Sequence, residues 1–533
     1  MQKIILALLL VSTNALAMDL YVDSKTKQIY AEPGPNRVLM GSFEKVSTEP
    51  AATKSEVKAI REELELKNNE IKALSEFAAE ANGPESAHLS LKDGIHMSTK
   101  DGNFTAGING RLQVDSQINE QTLPNAYQGI YASPTGVPVT LNNGAGLRRA
   151  RIGVEGTFFK KTDYKFEYDF TRGNGLNAGG VTDAYIRYNF TKPFSVKVGA
   201  FKEPFSLEEA TSNRYTTFIE RNMAVNTFVD NLNTYKVGIG ANYAVDRWQI
   251  GSSFQTEGVG GYNNAYGSNS LTGSTGSAVN TNGGVNRNGG GGDTSWEANT
   301  RISGTPWMSS KTKFLHVGTS GSYISINNNY TGNGNYNNGG IIFANGVGGN
   351  VDRTAILNTG NLTSGKDGAK GSHQASTLTR FGGESALVYN AFSMQGEYIQ
   401  TNVAGTGYDN AVLDGYYGYA TYFLTGESRN YKAKTGAWDR IKPNRNFDMK
   451  GGWGAWEIAS GYDYMNLNSG GVNGGRASTV KFGLNWYPHS HLRVMTDYVH
   501  VLDINTVSVS NSTSKAWNDA SLDMVETRFQ VDW

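Results

Sequence analysis

The sequence predicts an all-β fold: a transmembrane antiparallel β-barrel of about sixteen strands, with a short periplasmic helix or coiled coil ahead of it. Three observations predict it. Strand-length segments separate aromatic from charged side chains by parity, the same patterning runs from about residue 103 to the C-terminus, and the first residues read as an export signal.

The parity is clearest between residues 147 and 209. In DYKFEYDF, Tyr164, Phe166, Tyr168 and Phe170 alternate with Asp163, Lys165, Glu167 and Asp169. Successive side chains of a strand point to opposite faces, so one face is wholly apolar and the other wholly charged. RARIGVEGTF repeats the split, with Ala150, Ile152, Val154 and Phe158 against Arg149, Arg151 and Glu155. TDAYIRYNF does so again, with Ala184, Ile186, Tyr188 and Phe190 against Asp183, Arg187 and Asn189. A soluble sandwich also alternates but seldom sets so many aromatics opposite its charges. Aromatic-out, charge-in strands joined by tight turns such as KKTD and TKP suit a water-filled barrel in a membrane.

The stretch MQKIILALLLVSTNALA places Lys3 before the apolar run Ile4 to Val11 and ends on Ala15 and Ala17, the pattern of a signal peptide over residues 1–17. Its apolar run is too short to span a bilayer as a helix, and no other run is longer. The 48 basic residues balance 48 acidic ones, so nothing points to nucleic acid as a partner. Cysteine is absent, which excludes disulfide-stapled modules and thiol chemistry.

Residues 18–55 show no clear period and are expected to be irregular. From Glu56 the pattern changes. Val57, Leu64, Ile71 and Ala78 fall seven apart, with Ile60, Lys67, Leu74 and Ala81 interleaved, an a/d seam that predicts a short coiled-coil helix over 56–82. A lone amphipathic helix is the alternative. Asn82-Gly83-Pro84 ends the helix, and 83–102 reads as a linker or short plug. Association of the helices would make the barrel oligomeric, most naturally a homotrimer.

The barrel domain, 103–533, is expected to hold strands at 104–115, 148–158, 164–171, 182–190, 195–201, 234–243, 248–256, 296–304, 314–324, 380–389, 392–398, 413–423, 453–464, 479–487, 491–502 and 524–533. Parity then places the bulky connections 116–147, 202–233, 257–294, 325–379, 465–478 and 503–523 outside and short turns inside. Segment 424–452 breaks the rule, being long yet periplasmic. The Gly/Asn-rich stretches in 262–293 and 327–350 are expected to be solvated rims, because these residues adopt turns easily and build no apolar core. The chain ends ETRFQVDW, with Val525, Phe529, Val531 and Trp533 on one parity. A terminal strand ending on an outward aromatic is similar to the signal read by the outer-membrane assembly machinery. The expected surroundings are the lipid bilayer and lipopolysaccharide of a Gram-negative outer membrane.

In this register Arg149, Arg151, Lys165, Arg187 and Lys197 face the lumen. Between Leu147 and Arg172 seven cations, Arg148 among them, stand against four carboxylates. The segment FKEPFSLEEATSNRYTTFIERN, 201–222, is long enough to fold inward as a constriction and carries Lys202, Arg214 and Arg221 among Glu203, Glu208, Glu209 and Glu220. A positive wall in a narrow aqueous channel concentrates anions, and the planar donors of Arg suit phosphate or carboxylate. These nine cations are the candidate anion-contacting residues. The acidic excess of the inward segment argues against strong selectivity, and for each cation a purely bracing role is the alternative.

An enzyme is a poorer reading. His489-Ser490-His491 lies in a short turn without a third ligand type, and GNLTSGKD at 360–367 lacks the Ser/Thr and the strand and helix of a phosphate-binding loop. No catalytic residue, metal ligand or cofactor is expected. A barrel that only mounts adhesive loops is a further alternative.

RRARIGVEGTF, DAYIRYNF, VKVGAFKEPFSLEEATS, FLTGESRNYKAKTGAWDRIKP and GGWGAWEIASGYDYMNLN resemble the phosphate-selective porin O and P family. The resemblance covers most of the chain after about residue 100. It implies a sixteen-stranded, trimeric outer-membrane diffusion channel for small anions, whose best-known members bind phosphate or polyphosphate through pore arginines and a ladder of lysines. By motif, the family's paired arginine after the first external loop falls on Arg148 and Arg149. The acidic FKEPFSLEE and the Gly/Asn-rich loops depart from a strongly basic vestibule, which keeps a general or other-solute porin in view.

Overall fold

The computed structural model describes residues 17–44, 54–81, 87–91, 94–124, 140–171, 180–230, 235–258, 296–326, 342–349, 351–352, 354–360, 362, 374–510 and 512–533. All but the last residue of the signal segment, and the Gly/Asn-rich stretch 262–293, lie outside them. The chain divides into two units, 1–86 and 87–533.

The first unit opens with a small antiparallel sheet rather than irregular chain. Strands β1 (Ala17–Asp23), β2 (Ile29–Tyr30) and β3 (Arg37–Glu44) are ordered β2-β1-β3. Asp23 accepts from the backbone N–H groups of Lys25 and Thr26 to set the first turn, and Arg37 stacks 3.5 Å from the Tyr30 ring centre. The strands are too short to display a period, and Val38, Leu39 and Met40 are all exposed, so no buried face marks them in the sequence. Helix α1 (Lys54–Ala81) then covers the heptad segment. Its seam residues Leu64 (62% exposed), Ile71 (62%) and Leu74 (61%) stand open to solvent.

The second unit begins with a hairpin, β4 (Ala87–Ser90) and β5 (Ile95–Thr99), where a linker is expected. Sixteen strands follow and close on themselves. They are β6 (Phe104–Thr122), β7 (Gly144–Phe158), β8 (Thr162–Asp169), β9 (Gly180–Asn189), β10 (Phe194–Lys202), β11 (Tyr235–Ala244), β12 (Trp248–Gly258), β13 (Trp296–Ser310) and β14 (Lys313–Ser325). After two short strands, β15 (Ala344–Asn345) and β16 (Leu357–Asn358), come β17 (Gln374–Tyr389), β18 (Phe392–Thr406) and β19 (Tyr408–Phe423). A second short pair, β20 (Asn430–Lys432) and β21 (Ala437–Asp439), precedes β22 (Ala455–Ser469), β23 (Val472–His489), β24 (Leu492–Asn505) and β25 (Ser521–Asp532). Each of the sixteen barrel strands coincides with one expected from parity. Several run further at the end that carries the long loops, the extracellular end by the usual asymmetry of such barrels. Residues 465–478, expected as a loop, form the end of a hairpin. Gly470 and Gly471 both have positive φ (50° and 92°), the conformation a two-residue hairpin turn requires.

The alternation works as the sequence implies. On β25, Val525, Phe529 and Val531 are exposed to the outside while Met524, Glu526, Arg528 and Gln530 are buried inside. Outward aromatics gather near the short-turn end, with Phe104 against Phe158 and Phe159, and Tyr188 against Phe190. Trp456 and Trp486 stack there too, and both indole N–H groups donate to the Trp453 carbonyl, so the rings need no water. In the neighbouring exposed turn, the Arg445 guanidinium and the N–H groups of Gly452 and Lys450 hold the Asp448 carboxyl down to about 2.

The barrel closes where β25 pairs with β6, Ser521 opposite Thr122 through Asp532 opposite Arg111. Trp533 continues the seam by exchanging backbone hydrogen bonds with Gly110, and β5 takes over below, pairing Ile95 with Ile108. No backbone edge is then left open over that length, which a membrane demands. The Trp533 ring lies on Gly110, where an added Cβ would come within 2.3 Å of it. Gly110→Ala is therefore expected to destabilise the barrel by about 1–3 kcal/mol through overpacking at the seam. The check is the urea midpoint of the folded, heat-modifiable gel band in detergent, and an unchanged midpoint would refute it.

Candidate functional site: the lumen constriction

The segment after β10 folds into the lumen, as its length suggests. It runs from Glu203 to Asp230 and contains helices α2 (Leu207–Ala210) and α3 (Met223–Phe228). Ser206 starts it inward with a positive φ of 63°, and its side chain accepts from the Glu209 N–H. Phe205, Phe218, Met223, Val225 and Phe228 join an apolar cluster with Phe343, Val347, Ile356, Leu357 and Trp517 from two other inward-folding connections. Phe343 meets Phe228 edge to face at 5.3 Å. The described part of 327–350 is thus buried core rather than solvated rim. IFANGV (342–347) carries enough apolar surface to dock among its Gly and Asn neighbours.

Charge fixes this segment to the wall. Arg380 grips both oxygens of Glu203 (2.7 and 2.9 Å), and Lys236 adds a contact of 2.8 Å. Glu397 accepts from the Leu207 and Glu208 N–H groups (3.1 and 2.8 Å). Asp497 accepts from Ile219 N–H (2.6 Å) and Asp463 from Met223 N–H (2.7 Å). Glu220 takes a two-pronged contact from Arg148 (2.8 and 3.0 Å) and a third from Arg528 (2.9 Å). Glu209 pairs with Lys202 and Arg221. The Glu208 carboxylate accepts from the backbone and side chain of Asn222. The acidic residues that argue against anion selection in the sequence are therefore occupied by partners. Their charge is neutralised at the wall and inside the segment, away from open water.

A second insertion comes from the short-turn end. Segment 424–452 joins β19 to β22 on that side, as parity expects, and its β20–β21 hairpin turns into the barrel. Trp438 packs with Leu207, Phe314, Ala386 and Val388, and its N–H donates to Thr211 of the other inward segment. Arg301 donates to the carbonyls of Thr435 and Gly436 (3.2 and 2.7 Å) while gripping Glu384. His316 bridges Tyr431 and Glu384 (2.7 and 2.9 Å). Arg429 of the basic stretch stacks on Trp438 at 3.9 Å. The two insertions meet inside the barrel, one from each end.

Residues 125–533 match the model of the family described as Phosphate-selective porin O and P. The chain belongs to that family. This porin is an outer-membrane β-barrel channel for anions. It is 27% identical to Porin O of Pseudomonas aeruginosa over 436 residues, covering 77% of this chain and 86% of that protein. It is 24% identical to an uncharacterized protein of Caulobacter vibrioides, covering 91% and 87%. Among solved structures, OmpT of Vibrio cholerae is similar at 12% identity and a TM-score of 0.44, covering 80% of this chain and 98% of that one.

The nine candidate cations of the porin fall into three groups. Arg148, Arg149, Arg151 and Arg214 gather with Arg111 and Arg528. A bulge in β7, where Arg148 is the extra residue between Leu147 (opposite Val114) and Arg149 (opposite Gln113), lets the adjacent Arg148 and Arg149 both turn inward, against simple alternation. Arg151 is held by Glu167 (2.9 Å), Asp169 (2.7 Å) and the Tyr235 hydroxyl. Arg111 also binds Glu167, and Arg214 donates to Asn109. Arg149 differs in having no carboxylate: among the described residues its one side-chain acceptor is Gln113 (3.0 Å), while its Nε, like those of Arg111 and Arg214, is buried with no partner. Lys165, Arg187 and Lys197 form the second group. Lys165 binds Asp183 (2.7 Å), Arg187 binds Asp163 (2.6 Å), and Lys197 has no carboxylate within ion-pair distance among the described residues. Lys202 and Arg221 share Glu209 and serve the constriction itself.

Sequence reasoning passed over Arg380, Arg493 and Arg528, which clamp the inward segment from the far wall. Parity was the available signal, since Arg528 alternates with Phe529 in TRFQV. Removing one partner of such a buried pair typically costs about 3–5 kcal/mol, so Glu203→Gln is expected to loosen the segment from Arg380 and Lys236. Single-channel recordings should show larger, noisier openings than the parent. Identical conductance and noise would mean the latch does not hold the constriction.

Proposed function

We propose that this anion porin passes small oxyanions, phosphate among them, by way of Arg149. The observation that carries the reading is the imbalance around that residue. Arg111, Arg148, Arg149, Arg151, Arg214 and Arg528 face Asp115, Glu167, Asp169 and Glu220, and Arg149 is the guanidinium with no carboxylate of its own. A buried guanidinium with an orphan donor gains most from a passing anion, because the anion supplies the charge and the acceptor that the protein withholds. The residues of this site supply binding and guidance to an anion, as a channel requires. A general porin with mild anion preference is the second reading, favoured by the many lumen cations already paired with carboxylates.

Arg149→Ala is expected to reduce anion preference, read as a smaller reversal potential in a salt gradient. It should also raise the phosphate concentration that half-blocks chloride current by about tenfold, the loss of one charge-assisted contact. Phosphate block that is absent from the parent, or unaltered in the variant, would leave the general porin.

The same reading has the signal of residues 1–17 export the chain, the assembly machinery take its last strand, and bilayer and lipopolysaccharide surround its aromatic face. It makes the porin a homotrimer joined in part through α1, whose open seam of Leu64, Ile71 and Leu74 is costly in water for a single helix. The chain has no cysteine, so a single one reports cleanly. Ile71→Cys in the seam should give oxidised cross-links between copies, whereas Asn69→Cys on the far face should not. Equal yields from the two positions would refute the coiled coil.

A further inference from the structure

The second cation group holds an arrangement that inorganic anion transport leaves unexplained. Lys165, Lys202, Lys236 and Lys481 in the lumen each have a carboxylate close by. Lys197, on the inward face of β10, has none among the described residues. Its ammonium lies 4.0 Å from the centre of the Phe201 ring and 5.6 Å from that of Tyr185. Phe201 is fully buried and forms the floor, while Tyr185 is only half-buried at the lumen side. Asp183, the acid beside both Lys197 and Tyr185, is occupied by Lys165, and Glu155 lies on the Tyr185 side with no ion pair among the described residues. Across the ladder Lys197 faces Gly240, which presents no side chain, and an added Cβ there would come within 3.0 Å of Phe201 and 3.3 Å of the Lys197 stem. The Tyr185 hydroxyl has no hydrogen-bond partner among the described residues, leaving a second donor beside the ammonium.

We propose that Lys197 and Tyr185 form a subsite for organic carboxylates with a flat apolar body. The ring beneath fixes the position of the ammonium, as cation–π contacts do. A carboxylate then accepts from Lys197 Nζ and the Tyr185 hydroxyl, and the carbon body lies against the exposed side of Tyr185. Phosphate can use the two donors but has nothing to place against the ring. The subsite rests on the reading of the lumen as an anion path and adds a solute class to it.

The test uses the full-length porin in planar bilayers, carrying chloride current, with benzoate or acetate added. Benzoate should half-block at a concentration several-fold below acetate, since both bring one carboxylate and only benzoate brings a ring. Lys197→Gln should raise the half-blocking benzoate concentration by about tenfold. Tyr185→Leu, which removes ring and hydroxyl together, should bring benzoate down to the level of acetate, and provides the readout if the lysine variant does not fold. Arg149→Ala should keep the benzoate preference while losing phosphate block. Equal block by the two acids in the parent, an unchanged half-blocking benzoate concentration in Lys197→Gln, or an unchanged benzoate preference in Tyr185→Leu, would overturn the subsite. Reversal potential measured in the same membranes reports separately on anion preference, so that reading can fail or stand on its own.

Discussion

The grip of Arg380 and Lys236 on Glu203 is the interaction from which the shape of this pore follows. A segment entering a barrel lumen must satisfy its backbone and cover its apolar side chains, and here it does so by docking on a wall prepared with charge. Buried ions are costly to leave unpaired, and each carboxylate at the root of the segment has found a cation or an N–H group. The wall reciprocates with Asp463, Asp497 and Glu397, which take up the segment's own amide donors. Neutralisation therefore runs both ways across one interface. The charges that remain for solutes are the few that this docking leaves over.

That bookkeeping explains why a chain of zero formal net charge can form an anion path. Selectivity depends on the sign of what faces water, and pairing removes most of the acidic residues from that surface along with most of the basic ones. Among the described residues, Arg149 and Lys197 stand outside the ion pairs for different reasons, as do Arg429 and Arg493, which donate to neutral oxygens. Arg149 turns inward at a bulge beside an arginine that claims the nearby carboxylate, and Lys197 rests on aromatic rings opposite a glycine. In a narrow channel a few uncompensated cations weigh more than a large exposed excess at the rim, because water and salt screen them less.

The barrel was legible in the sequence because its strands must obey a two-residue rhythm over their full length, and DYKFEYDF or RFQVD can be read without any neighbour. Less local features were hidden. The Ala17–Glu44 sheet buries no face, so it leaves no rhythm to find. Phe343 and Val347 sit inside a run of Gly and Asn whose composition suggests solvent, and only docking on Phe228 gives them a core. Of the site, the identities of the lumen cations followed from parity. Which of them are neutralised did not, since Glu220 reaches Arg148 across 72 positions of sequence and Arg528 across 308.

Trp438 comes up from one mouth of the barrel to touch the segment that comes down from the other. The constriction is thus supported from below as well as from the side, like a floor resting on a post. Its position then does not rest on the rims alone, and those rims are where low-complexity sequence is concentrated. External loops can drift in length and composition, altering what the cell shows to its surroundings, while the aperture that meters solutes stays where it is. Identity at the surface and permeability at the waist become separately evolvable properties of one chain.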